Sequence, residues 1–156
     1  MRKILLIGLV MMLIGCDDST TSPYAGKTLK SMTITKIEVN GFPPTQADGS
    51  AWDELGGAPD PFVEVSYNST IIYTSDSKSD VLTQAILTYT QDLPKDILYP
   101  SGKYTIHLWD SDVLVNDDMG GYDFTPWDGQ TYPASQRLKT NSQTLDVTVY
   151  YTYNFQ

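Results

Sequence analysis

Apolar positions in this chain recur mostly at every second residue. Beyond residue 16 no 3.6-residue period persists over ten positions. The cleanest alternation closes the chain: Leu145, Val147, Val149, Tyr151, Tyr153 and Phe155 share one face, and Thr148, Tyr150, Thr152 and Asn154 the other. Residues 60–67 (DPFVEVSY) alternate as clearly, and Asn68-Ser69 predicts a hairpin turn into a strand over 70–74. Asn68-Ser69-Thr70 also matches the N-glycosylation pattern, for which a turn is the simpler account. Residues 32–39 (MTITKIEV) predict a strand with Ile34, Ile37 and Val39 inside, and their break in phase predicts a bulge. Further strands are expected at 85–89, 103–109 and, shorter, 122–124. The segments 41–59, 75–80, 91–102 and 125–140 read as loops, the last with turn signals at Asp128-Gly129 and Tyr132-Pro133. Short strands joined by turn-rich loops predict an all-β antiparallel sandwich of about eight strands. Eleven tyrosines suit half-buried sheet faces, where the ring packs and the hydroxyl stays wet.

The N-terminus departs from this pattern. Met1-Arg2-Lys3 is followed by an almost unbroken apolar run over 4–14, too short to span a bilayer as a stable helix, and reads as a secretory signal. It ends Leu13-Ile14-Gly15-Cys16, which resembles a bacterial lipobox. That resemblance implies cleavage before Cys16 and diacylation of that residue, with the protein lipid-anchored in a bacterial envelope, the outer membrane favoured over the inner. Residues 1–15 are thus expected to be signal, 16–30 a lipidated cysteine and flexible tether that holds the domain off the bilayer, and 31–156 one β domain. Asp17-Asp18, which follow the cysteine, bear on sorting between membranes in a way that differs among bacterial groups.

Cys16 is the single cysteine, which leaves none for disulfides, thiol catalysis or cysteine-bearing zinc sites. Residues 1–15 hold two basic groups and no acidic ones, so the remainder carries eight basic and nineteen acidic residues, a formal charge of about −11. Such a surface does not attract nucleic acid, nor an anionic bilayer without a bridging cation.

The acidic residues are concentrated. Leu108 begins the stretch LWDSDVLVNDDMGG, where Asp110, Asp112, Asp117 and Asp118 flank an apolar tip, Val113-Leu114-Val115. Carboxylates so close repel one another unless something positive lies between them. Two readings fit this stretch alone: a solvated acidic turn, or oxygen ligands for calcium. An earlier loop, WDELGGAPDPFVEV, adds Asp53 and Asp60. Five or six carboxylates converging at one end of a sandwich favour one or two divalent cations between them. Calcium suits a flexible all-oxygen cage better than magnesium does. Zinc or copper would want His or Cys, and the single histidine, His107, reads as a packed sheet residue.

Together the two loops resemble those of a C2 domain, the calcium-dependent membrane-binding β-sandwich. The family's first loop carries an aspartate, a small glycine-containing turn, and a second aspartate heading a strand Asp-Pro-Tyr-Val-x-Val. Here Asp53, Gly56-Gly57 and Asp60-Pro61-Phe62-Val63-Glu64-Val65 follow that order. The distal loop, apolar-Trp/Tyr-Asp-x-Asp with a third aspartate before a glycine, is similar to Leu108-Trp109-Asp110-Ser111-Asp112 with Asp117-Asp118-Met119-Gly120. The resemblance covers roughly residues 31–125. Asp53 to Asp60 is one residue longer than usual, and either Asp117 or Asp118 can serve as the third ligand. The family's lysine-rich strand has no counterpart, so phosphoinositide recognition is not carried over.

The resemblance implies Ca2+ held by Asp53, Asp60, Asp110, Asp112 and Asp117 or Asp118. Val113, Leu114 and Val115, with Trp52 and Leu55 beside Asp53, are then either a wedge for a membrane or partner, or residues that pack the loops together. The leading expectation is a calcium-binding docking or adhesion lipoprotein, held to one membrane by its N-terminal lipid and engaging a second membrane, a glycan or a protein. The alternative is a structural lipoprotein scaffold that binds a protein partner in an envelope or secretion complex, with metal structural or absent. Catalysis by an Asp53/Asp110 pair, as in glycoside hydrolysis, ranks third, because carboxylates so crowded look like ligands; no enzyme is expected.

Overall fold

A computed structural model describes Tyr24 and residues 26–53, 57–140 and 144–156. The expected signal, Cys16 and most of the tether lie outside the described residues. Among the described residues nine strands form two sheets: β1 (Leu29–Gly41), β2 (Pro61–Tyr67), β3 (Thr70–Thr74), β4 (Leu87–Tyr89), β5 (Lys95–Ile97), β6 (Tyr104–Asp110), β7 (Asp117–Phe124), β8 (Ser135–Lys139) and β9 (Asp146–Phe155). One sheet runs β4-β1-β9-β8 with β5 also paired to β1; the other runs β3-β2-β6-β7. Every pairing is antiparallel.

The alternating residues meet between the sheets. Met32, Ile34, Ile37 and Val39 of β1 and Val147, Val149 and Tyr151 of β9 are buried. They face Val63 and Val65 of β2 and Tyr104, Ile106 and Leu108 of β6. The phase break in β1 is a register shift against β9 between Ile34 and Lys36, which lets both Ile34 and Ile37 point inward. Asn68 and Ser69 both take left-handed backbone angles (φ 47° and 62°), as a two-residue hairpin turn requires to match strand twist.

Two strands and three boundaries differ from the expectation, while the nine strands agree with the predicted sandwich of about eight. β5 and β8 lie in segments read as loops. Each turns just one residue inward, Ile97 and Leu138, which is too little for a visible period, and β8 is an edge whose outer residues are free to be polar. β4 is shorter than expected, and β7 begins at Asp117 rather than residue 122. β1 begins at Leu29, because Thr28 and Gln156 exchange backbone hydrogen bonds of 3.2 and 3.0 Å that extend the pairing with β9.

Asp146 is a buried carboxylate that the pattern did not single out. Arg137 holds both its oxygens, with Nε at 2.9 Å and an Nη at 2.5 Å, and Lys139 Nζ adds a contact at 3.0 Å. Chiefly through the Arg137 hydrogen bonds, its pKa is held well below the usual carboxylate range.

The topology gathers the starts of β2 and β7 and the ends of β1 and β6 at one end of the sandwich. The start of β1 and the ends of β2, β7 and β9 lie at the other. The hairpin yields the first prediction. Ser69→Gly removes a Cβ from a left-handed position and should stabilise the fold by about 0.5–1 kcal/mol. A higher urea midpoint at unchanged slope would show this, whereas a lower one would mean that the serine side chain itself holds the turn.

Candidate metal centre

Strand alternation in β6 turns Tyr104, Ile106, Leu108 and finally Asp110 toward the interior. The carboxyl group of Asp110 is therefore the last inward-facing side chain of its row, fully buried. Its Oδ1 accepts the backbone N–H of Asp60 at 2.6 Å. The neighbouring Ser111 N–H donates to the Asp60 carbonyl at 3.2 Å. These two bonds stitch the start of β2 to the end of β6. Asp110 Oδ2 is buried and has no hydrogen-bond partner among the described residues. Burial pushes the Asp110 pKa up against the pull of the Asp60 N–H, and repulsion from Asp112, Asp53 and Asp60 pushes it further.

Those three carboxylates are the other residues that the fold draws toward Asp110. Asp60 is half-buried, and its Oδ1 accepts the backbone N–H of Asp80 at 2.7 Å, which ties in the loop that follows β3. Asp53 lies over Gly57, where a Cβ would stand 2.7 Å from its Oδ2 and push the carboxylate aside. Asp112 opens the tip, its N–H donating to Asn116 Oδ1 at 3.2 Å and closing a short loop beneath Val113-Leu114-Val115.

A bulge separates the two remaining candidates. Leu108 pairs with Gly120 but Trp109 with Asp118, which leaves Met119 as the extra residue, its side chain buried. Gly120 carries the left-handed angle at the bulge (φ 112°). The extra residue moves Asp117 into register with Asp110, on the same side of the sheet, and Asp118 opposite Trp109 on the other. Asp118 is exposed, and its Oδ1 accepts the nearby Gly120 N–H at 2.7 Å. Asp117 Oδ2 accepts Nε2 of Gln46 at 2.6 Å, and the same amide reaches the Trp52 carbonyl at 3.4 Å. Gln46 thus bridges the two acidic loops. Nothing in its sequence surroundings signals that role, whereas Gly120-Gly121 is a usable cue for the bulge.

The apolar residues divide. Val113, Leu114 and Val115 are 100%, 90% and 75% exposed. Trp52, grouped with them as a contact residue, is instead buried, with Nε1 donating to the Pro43 carbonyl at 2.9 Å; it packs the long loop and is not available to a partner. Leu55 lies outside the described residues. His107 is half-buried edge-on against Trp109, ring centroids 5.1 Å apart, as a packed sheet histidine.

Among the described residues no three His, Cys, Asp or Glu side chains stand close enough together to hold a metal ion as they are. The chemistry of the donors nevertheless fits a hard cation. The donors are all oxygen, and one of them is a buried carboxylate oxygen with no partner among the described residues. Asp110, with Asp53, Asp60 and Asp112 around it and Asp117 in register, is the set that would hold such an ion.

Among solved structures, a C2 domain superposes with a TM-score of 0.54 over 79% of this chain and 96% of its own length, at 14% identity. The fold is C2-like. Human GIVD cytosolic phospholipase A2, in complex with methyl gamma-linolenyl fluorophosphonate, matches with a TM-score of 0.51 at 13% identity, over 78% of this chain and 17% of that one. No family sequence model and no curated protein matched the chain. At such identities the likeness concerns the C2 fold, and the acidic end must be judged on its own geometry.

That geometry predicts a sign. A carboxylate with a raised native pKa costs stability once ionised, and the cost is absent below the ordinary carboxylate value and complete above the native one. In chelator, Asp110→Asn should therefore stabilise the domain at neutral pH by about 1 kcal/mol, a few degrees in melting temperature. The advantage should shrink as pH falls toward the ordinary carboxylate range. A variant less stable than the parent at every pH would contradict the unpaired charge.

Proposed function

We propose that this C2-like domain is a calcium-dependent docking module, held at a bacterial envelope membrane by acylated Cys16. The observation that carries the reading is the buried Oδ2 of Asp110, unpartnered among the described residues and repelled by Asp112, Asp53 and Asp60, at the base of an exposed Val113-Leu114-Val115 tip. Calcium supplies the positive charge that this set lacks. Asp53, Asp60 and Asp112 would share it with Asp110, and the register of β6 with β7 supports Asp117 rather than Asp118 as the fifth member.

Without a cation, the negative end and its apolar tip pull in opposite directions. Repulsion keeps the end away from anionic surfaces, while the three exposed side chains gain by leaving water, at about 25 cal/mol per Å² of apolar area. Neutralising the carboxylates removes the repulsion and leaves the apolar term. The domain then engages a second surface, a bilayer first of all, with the tip as the inserted element. Nothing in this chemistry calls for a bond to be made or broken, and we assign no catalysis.

Reconstitution tests this directly. Protein inserted by its own lipid into one population of vesicles should, on addition of calcium, cluster with a second, anionic population. Chelator should reverse the clustering, and both Leu114→Ser and Asp112→Asn should lose it. Calcium-independent clustering, or none with any lipid composition, would overturn docking to a bilayer.

A further inference from the structure

The end of the sandwich opposite the acidic loops has a surface of a different kind. Between the ends of β2 and β5 and the starts of β3 and β6 lies an open groove of about 470 Å³, lined by Tyr67, Ile71, Lys95, Leu98, Tyr99 and Tyr104 among others. Leu98 is 78% exposed, and Ile71 and Tyr99 are more than half exposed. Tyr67 and Tyr99 stack with centroids 5.0 Å apart. A second aromatic group continues the same end: Tyr24 stacks on Phe155 at 4.6 Å, and Tyr132 meets Tyr24, Phe155, Tyr153 and Trp127 within 5.8 Å. All of these rings except Tyr104 are half-buried or more exposed.

Two further observations say what covers this end. The first is where the chain enters: β1 starts here, Leu29 pairing with Phe155. Cys16 lies roughly a dozen residues upstream, a reach of about 40 Å at full extension. The second is charge. Lys27, Lys30, Lys95 and Lys103 lie at this end, against Asp96, Asp123 and Asp128. Lys103 pairs with Asp123 at 2.7 Å. In a chain of net charge −9, this end is close to neutral, because the acidic surplus sits at the other. Tyrosine and tryptophan rings with exposed aliphatics and lysines form the composition that settles at a membrane–water interface.

We infer that this end rests on the bilayer carrying the protein's own lipid anchor, with Leu98, Tyr99 and Ile71 in the headgroup boundary. The inference rests on the reading of Cys16 as acylated, and it is independent of calcium. It replaces the picture of a domain held off by a loose tether with one lying end-on. The acidic loops and their tip then point away from that membrane, toward whatever they are to engage.

The test uses the full chain. Leu98→Cys, and separately Leu114→Cys, are labelled with a polarity-sensitive fluorophore after acylation has blocked Cys16. The proteins are reconstituted in phosphatidylethanolamine/phosphatidylglycerol vesicles in chelator. The label at 98 should emit to the blue, be quenched by brominated lipid and lose several-fold of its quenching by iodide; the label at 114 should remain aqueous. Full iodide access at 98 in acylated, vesicle-bound protein would overturn the inference. So would shielding at 98 that depends on protein concentration rather than on vesicles, which would mean that a second copy covers the groove. If mass spectrometry finds no acyl groups, the anchor reading falls. That outcome removes the anchor on which the inference rests and overturns it, separately from iodide access at 98 in the acylated protein.

Discussion

The contact between the Asp110 carboxylate and the Asp60 backbone N–H is the joint on which the functional end of this protein turns. It closes the last rung between β2 and β6, fixes where both acidic loops begin, and holds a charge where water does not reach. A buried carboxylate with one of its two oxygens unpaired is an expense that a fold bears where something else completes the group. Around it the remaining geometry follows. Asp60 is turned toward Asp80, Asp53 rests over Gly57, and the bulge at Met119 brings Asp117 into line.

Asp146 shows the other way to bury a carboxylate. It lies in the facing sheet, and Arg137 and Lys139 occupy its oxygens, so its proton affinity falls where that of Asp110 rises. The sequence supplies cations to one site and withholds them from the other. This contrast separates a structural ion pair from the site proposed to take a ligand. The same asymmetry runs along the whole molecule, from an acidic end with an apolar tip to a near-neutral aromatic end where the chain enters.

Much of this was legible in the residues. Period-two alternation located β2, β6 and β9, and the phase slip in residues 32–39 marked a real bulge, because inward positions in a sandwich core tolerate little else than large apolar side chains. The acidic clusters were equally plain. What escaped were features decided by neighbours distant in sequence. β8 exists because β9 pairs with it, although SQRLK has no strand signature of its own. Trp52 beside Asp53 could be read as a contact residue or as loop packing, and its indole finds the Pro43 carbonyl inside the loop. Which of Asp117 and Asp118 falls in register with Asp110 depends on one extra residue in a ladder, which spacing alone does not reveal.

The central claim is that the acidic end is completed by calcium. Thermal unfolding of the domain in excess calcium, in magnesium and in chelator tests it most directly. Calcium at about a hundred times its dissociation constant should add roughly 2.7 kcal/mol, a rise of several degrees that magnesium does not reproduce and that Asp110→Asn/Asp112→Asn loses. Superimposable melts in all three conditions would contradict the account and leave the two loops as solvated turns.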